Sequence, residues 1–387
     1  MVERKIPYYS PQMDLKQVVK ALMTRGAEGR CVAYYQQYTG KKYVLLTNSC
    51  RTALYLTYRV LCKDASVLVS PLICKAALLP IVESGNKVLF ADVDEKTWNM
   101  DAKRLPNELS KDVKAMQLTY LGGVPNGIAE CVGYAREHGL TIIEDAAQGF
   151  GGKSVGMIGD VVCLSMIKTA YGISGGVLAT NDENIYRNAK EILTEYSKTS
   201  LAKCAYRIVR NIIDTRRTTS RIAQRLYDWM LGKRPSGIRK ADTLQLGKIN
   251  RLEAKVAVSQ QSRLAGLHEG RKRSAQQIVE RLDAGRCMSN YTGVGVPMKL
   301  YVKTDVSARQ YVEELRSKGI EAMHLQQKYD SCYQDSMADI IWREAAAVNE
   351  LSVFRQLHDS IISVPLWEGM PEEAIEKITQ EFKKSIR

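Results

Sequence analysis

Residues 141–148 read Thr-Ile-Ile-Glu-Asp-Ala-Ala-Gln, a short apolar run that ends in two acids and an amide. Its length and apolar content are those of a buried strand, and its polar end is what the carboxyl edge of an open α/β sheet presents to a ligand. The same pattern recurs on either side. Tyr43 to Leu46, Ser66 to Val69, Lys87 to Ala91, Ala115 to Leu118, Val161 to Ser165 and Gly176 to Thr180 are further strand candidates, most of them strongly apolar. Strands of that kind belong to a sheet covered on both faces. Between them Arg51 to Cys62, Lys75 to Ser84 and Gly127 to His138 have helical spacing, and Gly139 is a good stop for the last. The pattern predicts an α/β fold with a mostly parallel seven-stranded sheet in a large domain over 1–250. A smaller C-terminal α/β domain then covers 251–387. Within it we expect one long helix or two over Asn250 to Leu282 and strands near Pro297 to Val302 and Ile361 to Val364. Further helices are expected at Ser307 to Lys318, Ile340 to Gln356 and Glu372 to Ile386.

Composition bounds the function classes. The 387 residues are 45% apolar, enough for a large core, yet no run approaches the roughly 18 apolar residues of a membrane-spanning helix. Met1-Val2-Glu3-Arg4-Lys5 leads into Pro7 and Tyr8 without an apolar signal core, so the expected location is the cytoplasm. Nine cysteines lie singly, with no CxxC pair, and there are four histidines, which argues for reduced thiols and against a structural zinc. The net charge of +14 is concentrated between Lys198 and Lys240, where twelve basic residues stand against two acids, Asp214 and Asp228.

Three loops at strand ends carry chemistry. Thr47-Asn48-Ser49-Cys50-Arg51-Thr52 opens a helix, and helix-start N–H groups with a Ser49 or Thr52 hydroxyl bind phosphate. Asp145 and Gln148 sit at the end of the 141–148 run. Ser165 and Lys168 follow the next strand, with Gly172, Gly175 and Gly176 giving the backbone room beside a ligand. Taken singly, these are also an N-cap, a capping acid and a surface lysine. Together they are what pyridoxal phosphate needs: an amine for a Schiff base, an aspartate that keeps the ring nitrogen protonated, and a phosphate turn.

With those residues in place the chain resembles the DegT/StrS nucleotide-sugar aminotransferases, fold type I pyridoxal phosphate enzymes, over nearly its whole length. The likeness is carried by Ile6-Pro7-Tyr8-Tyr9 and Ala27 to Gly40, and by Ser49-Cys50-Arg51-Thr52-Ala53-Leu54 at the phosphate turn. Pro71, Gly85, Phe90 to Asp94, Glu144-Asp145-Ala146-Ala147-Gln148 and Ser165 to Gly176 complete it. The resemblance implies that Lys168 bonds the cofactor, Asp145 binds its pyridine nitrogen and Gln148 lies near its ring hydroxyl. It also implies that Thr52 and Ser165 hold the phosphate, in a turn that includes Cys50 and Arg51. It further implies an amino group taken from glutamate and given to a keto sugar on a nucleotide or lipid carrier, for surface polysaccharide or glycoconjugate synthesis. A homodimer with sites near the interface is implied as well. One branch of the family replaces the lysine by histidine and removes a hydroxyl; no histidine lies in Ser165 to Gly176. The chain departs from the family at several points. Lys168 follows Ser165 by three residues instead of the usual five, and Cys50 replaces a glycine. Leu72-Ile73-Cys74-Lys75 lacks the stacking aromatic, and Lys248 to Arg251 lacks a clean match to the second-subunit Asn and Arg. These changes also fit a degenerate relative that serves as a binding or scaffolding subunit.

The basic segment has an amphipathic pattern. Leu201, Ala205, Ile208, Val209, Ile212 and Ile213 share one helical face with Lys203, Arg207 and Arg210 towards the other, and Ile222, Leu226, Trp229 and Met230 repeat the idea beside Arg221 and Arg225. Three roles suit it: helices packed by their apolar face with a solvated basic face, an interfacial pair on anionic lipid, or recognition of a nucleotide diphosphate. Interleaved aromatics and a known binding module are absent, which argues against nucleic acid.

Overall fold

The computed structural model describes residues 5–105, 109–125, 127–232, 244–282, 284–287, 293–324, 341, 343–345 and 350–384. Outside them lie Met1 to Arg4, the basic residues Lys233, Arg234, Arg239 and Lys240, and Ile386. Part of the helix expected over Ile340 to Gln356 lies outside them too, and of the described part residues 350 and 351 are not helical.

The N-terminal part runs α1 (Leu15–Met23), α2 (Ala27–Thr39), β1 (Tyr43–Thr47), α3 (Cys50–Leu61), β2 (Ser66–Val69), α4 (Leu79–Glu83), β3 (Lys87–Phe90), β4 (Val113–Thr119), α5 (Ile128–Glu137), β5 (Thr141–Asp145), β6 (Val161–Ser165) and β7 (Gly176–Thr180). Five further helices follow: α6 (Glu183–Thr194), α7 (Leu201–Arg216), α8 (Arg221–Gly232), α9 (Arg251–Gln261) and α10 (Leu264–Val279). The chain closes with β8 (Leu300–Lys303), α11 (Ala308–Ser317), β9 (Met323–His324), α12 (Ser352–Leu357), β10 (Ile361–Val364) and α13 (Glu372–Lys384). Pro80, in the first turn of α4, restarts the chain there, so the helix expected over Lys75 to Ser84 is split into a 3-10 turn and this short helix.

The large sheet has the order β1-β7-β6-β5-β4-β2-β3. Strands β2 to β6 are mutually parallel, and β7 is antiparallel to both of its neighbours. Ile143, Val161, Cys163 and Leu178 face one core, whereas Ile142, Val162, Leu164 and Val177 face the other. Burial on both faces is why these strands read as unbroken apolar runs. The second core takes in Ala254 and Val258 of α9 and Leu264 and Leu267 of α10; the first continues into the antiparallel sheet β8-β10-β9 through Leu300, Val302, Ile361 and Ile362. Register places Thr47, Gly176 and Ser165 side by side, and Asp145 beside Cys163 and Thr119, along one edge of the large sheet.

The inward face of α7 overlaps the expected one only in part, with Ile208 buried and Ile212 packed against the same cluster. Its buried residues are Cys204, Ile208, Asn211 and Asp214, while Leu201, Ala205 and Val209 face solvent. The cause is buried charge. Glu253 of α9 is fully buried and receives Arg207 Nη1 at 2.8 Å, and Asp214 pairs with the buried Arg217, which also reaches Glu321 at 2.6 Å. An unpaired buried carboxylate costs more than exposing a few aliphatic side chains, so the ion pairs set the rotation of the helix.

Glu144 shows the same rule at the sheet. Its fully buried carboxylate accepts from the backbone N–H groups of Gly156 (2.8 Å), Ile158 (2.9 Å) and Gly159 (2.7 Å), and from the Tyr120 hydroxyl. It thereby fixes the segment that leads into β6. Glu144→Ala, which leaves these donors buried without an acceptor, is expected to lower the unfolding free energy by about 3 kcal/mol or more. Urea denaturation measures it, and an unchanged midpoint would show that the segment is held by other contacts.

Candidate active site

The edge shared by β1, β4, β5, β6 and β7 brings the three loops together. Asn48, after β1, accepts from Gly175 N–H (3.1 Å) and the Ser174 hydroxyl (2.9 Å) through its backbone oxygen, so the phosphate turn and the glycine pair lie back to back. A Cβ on Gly176 would overlap the backbone of Ser49 and Cys50, which is the physical reason for a glycine there. Ser49 caps α3 by accepting from Thr52 N–H, and the Thr52 hydroxyl donates to Asn48 Oδ1 at 2.6 Å. Cys50 and Arg51 form the first turn of α3, where backbone N–H groups lack intrahelical partners. Asn48 is in turn tied to the strand-like stretch before α9, donating to Gln245 O (2.8 Å) and Gly247 O (2.9 Å).

Asp145 ends β5 with its carboxylate buried. Oδ1 accepts from Ala147 N–H at 3.1 Å and from the Cys50 thiol at 3.8 Å, and Oδ2 accepts from Gln117 Nε2 at 3.4 Å. Burial pushes its pKa up, while the Lys168 ammonium, within electrostatic reach, pulls it down; the net shift is upward. Burial also drives the Cys50 thiol well up, so it stays a neutral donor. Gln148 is buried, and its Oε1 has no hydrogen-bond partner among the described residues. Ser165 is buried and accepts from Ile167 N–H at 3.4 Å.

The short step from Ser165 to Lys168 is accommodated by a tight turn. Gly172 N–H reaches Met166 O at 2.7 Å, and Tyr171 N–H reaches Lys168 O at 3.4 Å with Tyr171 at φ +55°. That left-handed conformation costs a non-glycine residue on the order of 1–2 kcal/mol. It is held by contacts from far along the chain. The Tyr171 hydroxyl donates to Glu368 (2.7 Å), and fully buried Arg271 of α10 reaches both Glu368 and the Tyr171 oxygen at 3.4 Å. Tyr9 stacks on Tyr171 and donates to Lys168 O at 3.0 Å. Sequence reasoning did not single out Tyr9, Asn48, Gln117, Arg271 or Glu368 for the site. Gln117, an amide inside an apolar strand, carried a usable signal. The segment Leu72–Ile73, where a stacking aromatic was expected, is packed into the core.

These donors suit pyridoxal 5'-phosphate. A pyridinium N–H would satisfy the buried Asp145 carboxylate and a ring hydroxyl the orphaned Gln148 oxygen. The start of α3 with Thr52 would take the phosphate, and Lys168 would supply the amine.

Residues 30–383 match the DegT/DnrJ/EryC1/StrS aminotransferase family, and the chain belongs to it. The spore coat polysaccharide biosynthesis protein SpsC of Bacillus subtilis is 31% identical over 160 residues, 39% of this chain and 41% of that protein. A GDP-perosamine synthase of Escherichia coli O157:H7 is 28% identical over 200 residues, 47% of this chain and 54% of that protein. The chain thus spans roughly half, or somewhat less, of the length of the curated relatives it matches. Among solved structures, NtdA of Bacillus subtilis with bound PMP superposes at a TM-score of 0.75 with 15% identity, covering 100% of this chain and 86% of that one. A GDP-4-keto-6-deoxymannose-3-dehydratase with a trapped PLP-glutamate geminal diamine superposes at 0.71 with 16% identity, covering 97% and 99%. At such identities the superpositions establish the fold.

The raised pKa of Asp145 has a direct consequence. The folded protein binds the carboxyl proton more tightly than the unfolded chain does, so the buried charge costs stability above the raised pKa and the cost is relieved as pH falls through it. Asp145→Asn is therefore expected to raise the melting temperature of the cofactor-free protein at neutral pH. The same variant is expected to bind pyridoxal phosphate about tenfold to a hundredfold more weakly. Thermal melts and cofactor titration check both, and an unchanged cofactor affinity would remove Asp145 from the site.

Proposed function

We propose that this family member is a pyridoxal phosphate-dependent aminotransferase that takes an amino group from glutamate and gives it to a keto sugar carried on a nucleotide. The product would serve surface polysaccharide or glycoconjugate synthesis in the cytoplasm. The observation that carries this is that buried Asp145 ends β5 and Lys168 follows the adjacent strand β6 within electrostatic reach of it, with Gln148 Oε1 left without a hydrogen-bond partner among the described residues. The substrate class is supported by relatives named for spore coat polysaccharide biosynthesis and for GDP-perosamine synthesis, and the donor by a fold neighbour described with a PLP-glutamate species.

When bound, the cofactor would supply an electron sink for the bond to hydrogen at the substrate carbon. The chain's own residues do the rest. Asp145 would hold the ring nitrogen's proton, and its low-dielectric setting would strengthen that charge-assisted bond. The first turn of α3 would direct the N–H groups of Cys50 and Arg51 at the phosphate, the Thr52 hydroxyl would turn to it from Asn48, and Ser165 would add a second hydroxyl. Gln148 orients the ring through its free amide oxygen. Lys168 would hold the cofactor through Nζ, and the same amine, when free, would serve as the base that moves a proton at the substrate carbon. The Tyr171 turn keeps the lysine's backbone in register for both tasks. A homodimer completes the proposal. It is supported by the outward apolar stripe of α1, Leu15, Val19 and Leu22, which a second copy would cover.

Purified protein incubated with pyridoxal phosphate is expected to be yellow and to lose the yellow band on addition of glutamate. Lys168→Ala is expected to lose both the lysine-linked band and turnover. A lysine-linked cofactor retained in that variant would sink the assignment, and a colourless wild-type protein would mark the chain as a binding or scaffolding subunit.

A further inference from the structure

The hairpin of α7 and α8 presents a surface that neither the cores nor the site uses. On α7, Tyr206 (47% exposed) and Val209 (52%) lie on the side away from buried Cys204 and Ile208, and Leu201 (66%) is exposed at the start of the helix. On α8, Ile222 (73%), Leu226 (46%) and Trp229 (59%) follow i, i+4, i+7 spacing and so share one face, about a quarter-turn round the helix from buried Ala223. Single exposed aliphatic residues are ordinary, but a helical-period stripe on α8 beside exposed apolar side chains on the adjoining α7 is a patch. Its edges are basic: Lys203 and Arg216 on α7 and Arg221 and Arg225 on α8 are all exposed. The two acids of the segment do not neutralise them. Asp214 is buried against Arg217, and Asp228 is paired with Lys5.

We propose that the outward face of α7 and α8 is an interfacial surface for a bilayer containing anionic phospholipid. The apolar side chains enter the boundary between headgroups and acyl chains, and the guanidinium and ammonium groups meet the lipid phosphates. Charge selects this occupant over a second copy of the chain, because a two-fold contact sets a patch against itself and would bring the basic edges face to face. No described helix is long and apolar enough to cross a membrane, so the surface lies on the bilayer. A keto sugar held on a membrane carrier would then be within reach, a consequence that rests on the aminotransferase proposal; the lipid contact itself does not.

The full chain is sedimented with vesicles of phosphatidylcholine alone and with vesicles that also contain phosphatidylglycerol, at low and high salt. Binding to the phosphatidylglycerol vesicles that falls with salt is expected, since screening acts over about 8 Å at physiological ionic strength. Replacing Arg216, Arg221 and Arg225 by Gln is expected to weaken it about a hundredfold. Leu226→Ala with Trp229→Ala is expected to weaken it too, and both sets should keep the glutamate-induced loss of the yellow band. Absence of co-sedimentation, or equal binding to neutral vesicles, overturns the proposal. So does a lowered oligomeric state in the variants without vesicle binding, which would make the face an interface between copies. Bleaching by glutamate in the same samples separates the two proposals: vesicle binding lost with bleaching retained removes only the lipid surface, and the converse removes only the reaction.

Discussion

Consecutive side chains on an extended strand must point to opposite faces, and at Glu144 and Asp145 that rule divides the labour of the molecule. Both carboxylates are buried at the end of β5. Glu144 is saturated by backbone N–H groups and a tyrosine hydroxyl, and so organises the approach to β6. Asp145, one residue on, faces the converging loops with weaker donors, a thiol, a long amide contact and one N–H group. A buried carboxylate left in that condition is poised for a cation. The strand that follows places Lys168 at the same edge, so the positions of amine and acid depend on the fixed geometry of two neighbouring strands.

Long-range contacts then stiffen what the strands position. Tyr171 adopts a left-handed backbone between Lys168 and the glycine pair, and its hydroxyl is held by Glu368 and Arg271. Arg271 is itself satisfied by carbonyls of Pro297 and Leu366, so the N-terminal Tyr9, the lysine loop, α10 and the C-terminal stretch share one buried network. The paired members of this network stiffen the loop, with Glu368 Oε1 the oxygen left without a partner among the described residues. The network explains how a loop shorter than its family's usual form can still present its lysine.

Arginine serves two opposite ends in this chain. Arg207, Arg217 and Arg271 each compensate a buried or partly buried carboxylate, Arg217 through a bidentate contact to Glu321. Arg216, Arg221 and Arg225 remain on the surface beside exposed apolar side chains. The pairing of Arg207 with Glu253 connects the two uses, since it turns the outer face of α7 to solvent.

Local pattern sufficed for the seven strands of the large sheet, because a strand buried on both faces is a continuous apolar run bounded by turn residues, and both properties are encoded within a few positions. It also sufficed to place Thr52, Asp145, Gln148, Ser165 and Lys168 in loops at strand ends, and the sheet order then set those ends on one edge. The rotation of α7 and the support from Tyr9, Gln117, Arg271 and Glu368 were decided only by the tertiary structure. Periodicity locates the faces of a helix within a turn or two, but which face goes inward depends on the free energy of pairing buried charge. The partners for that charge lie tens to hundreds of residues away, where no local pattern reaches.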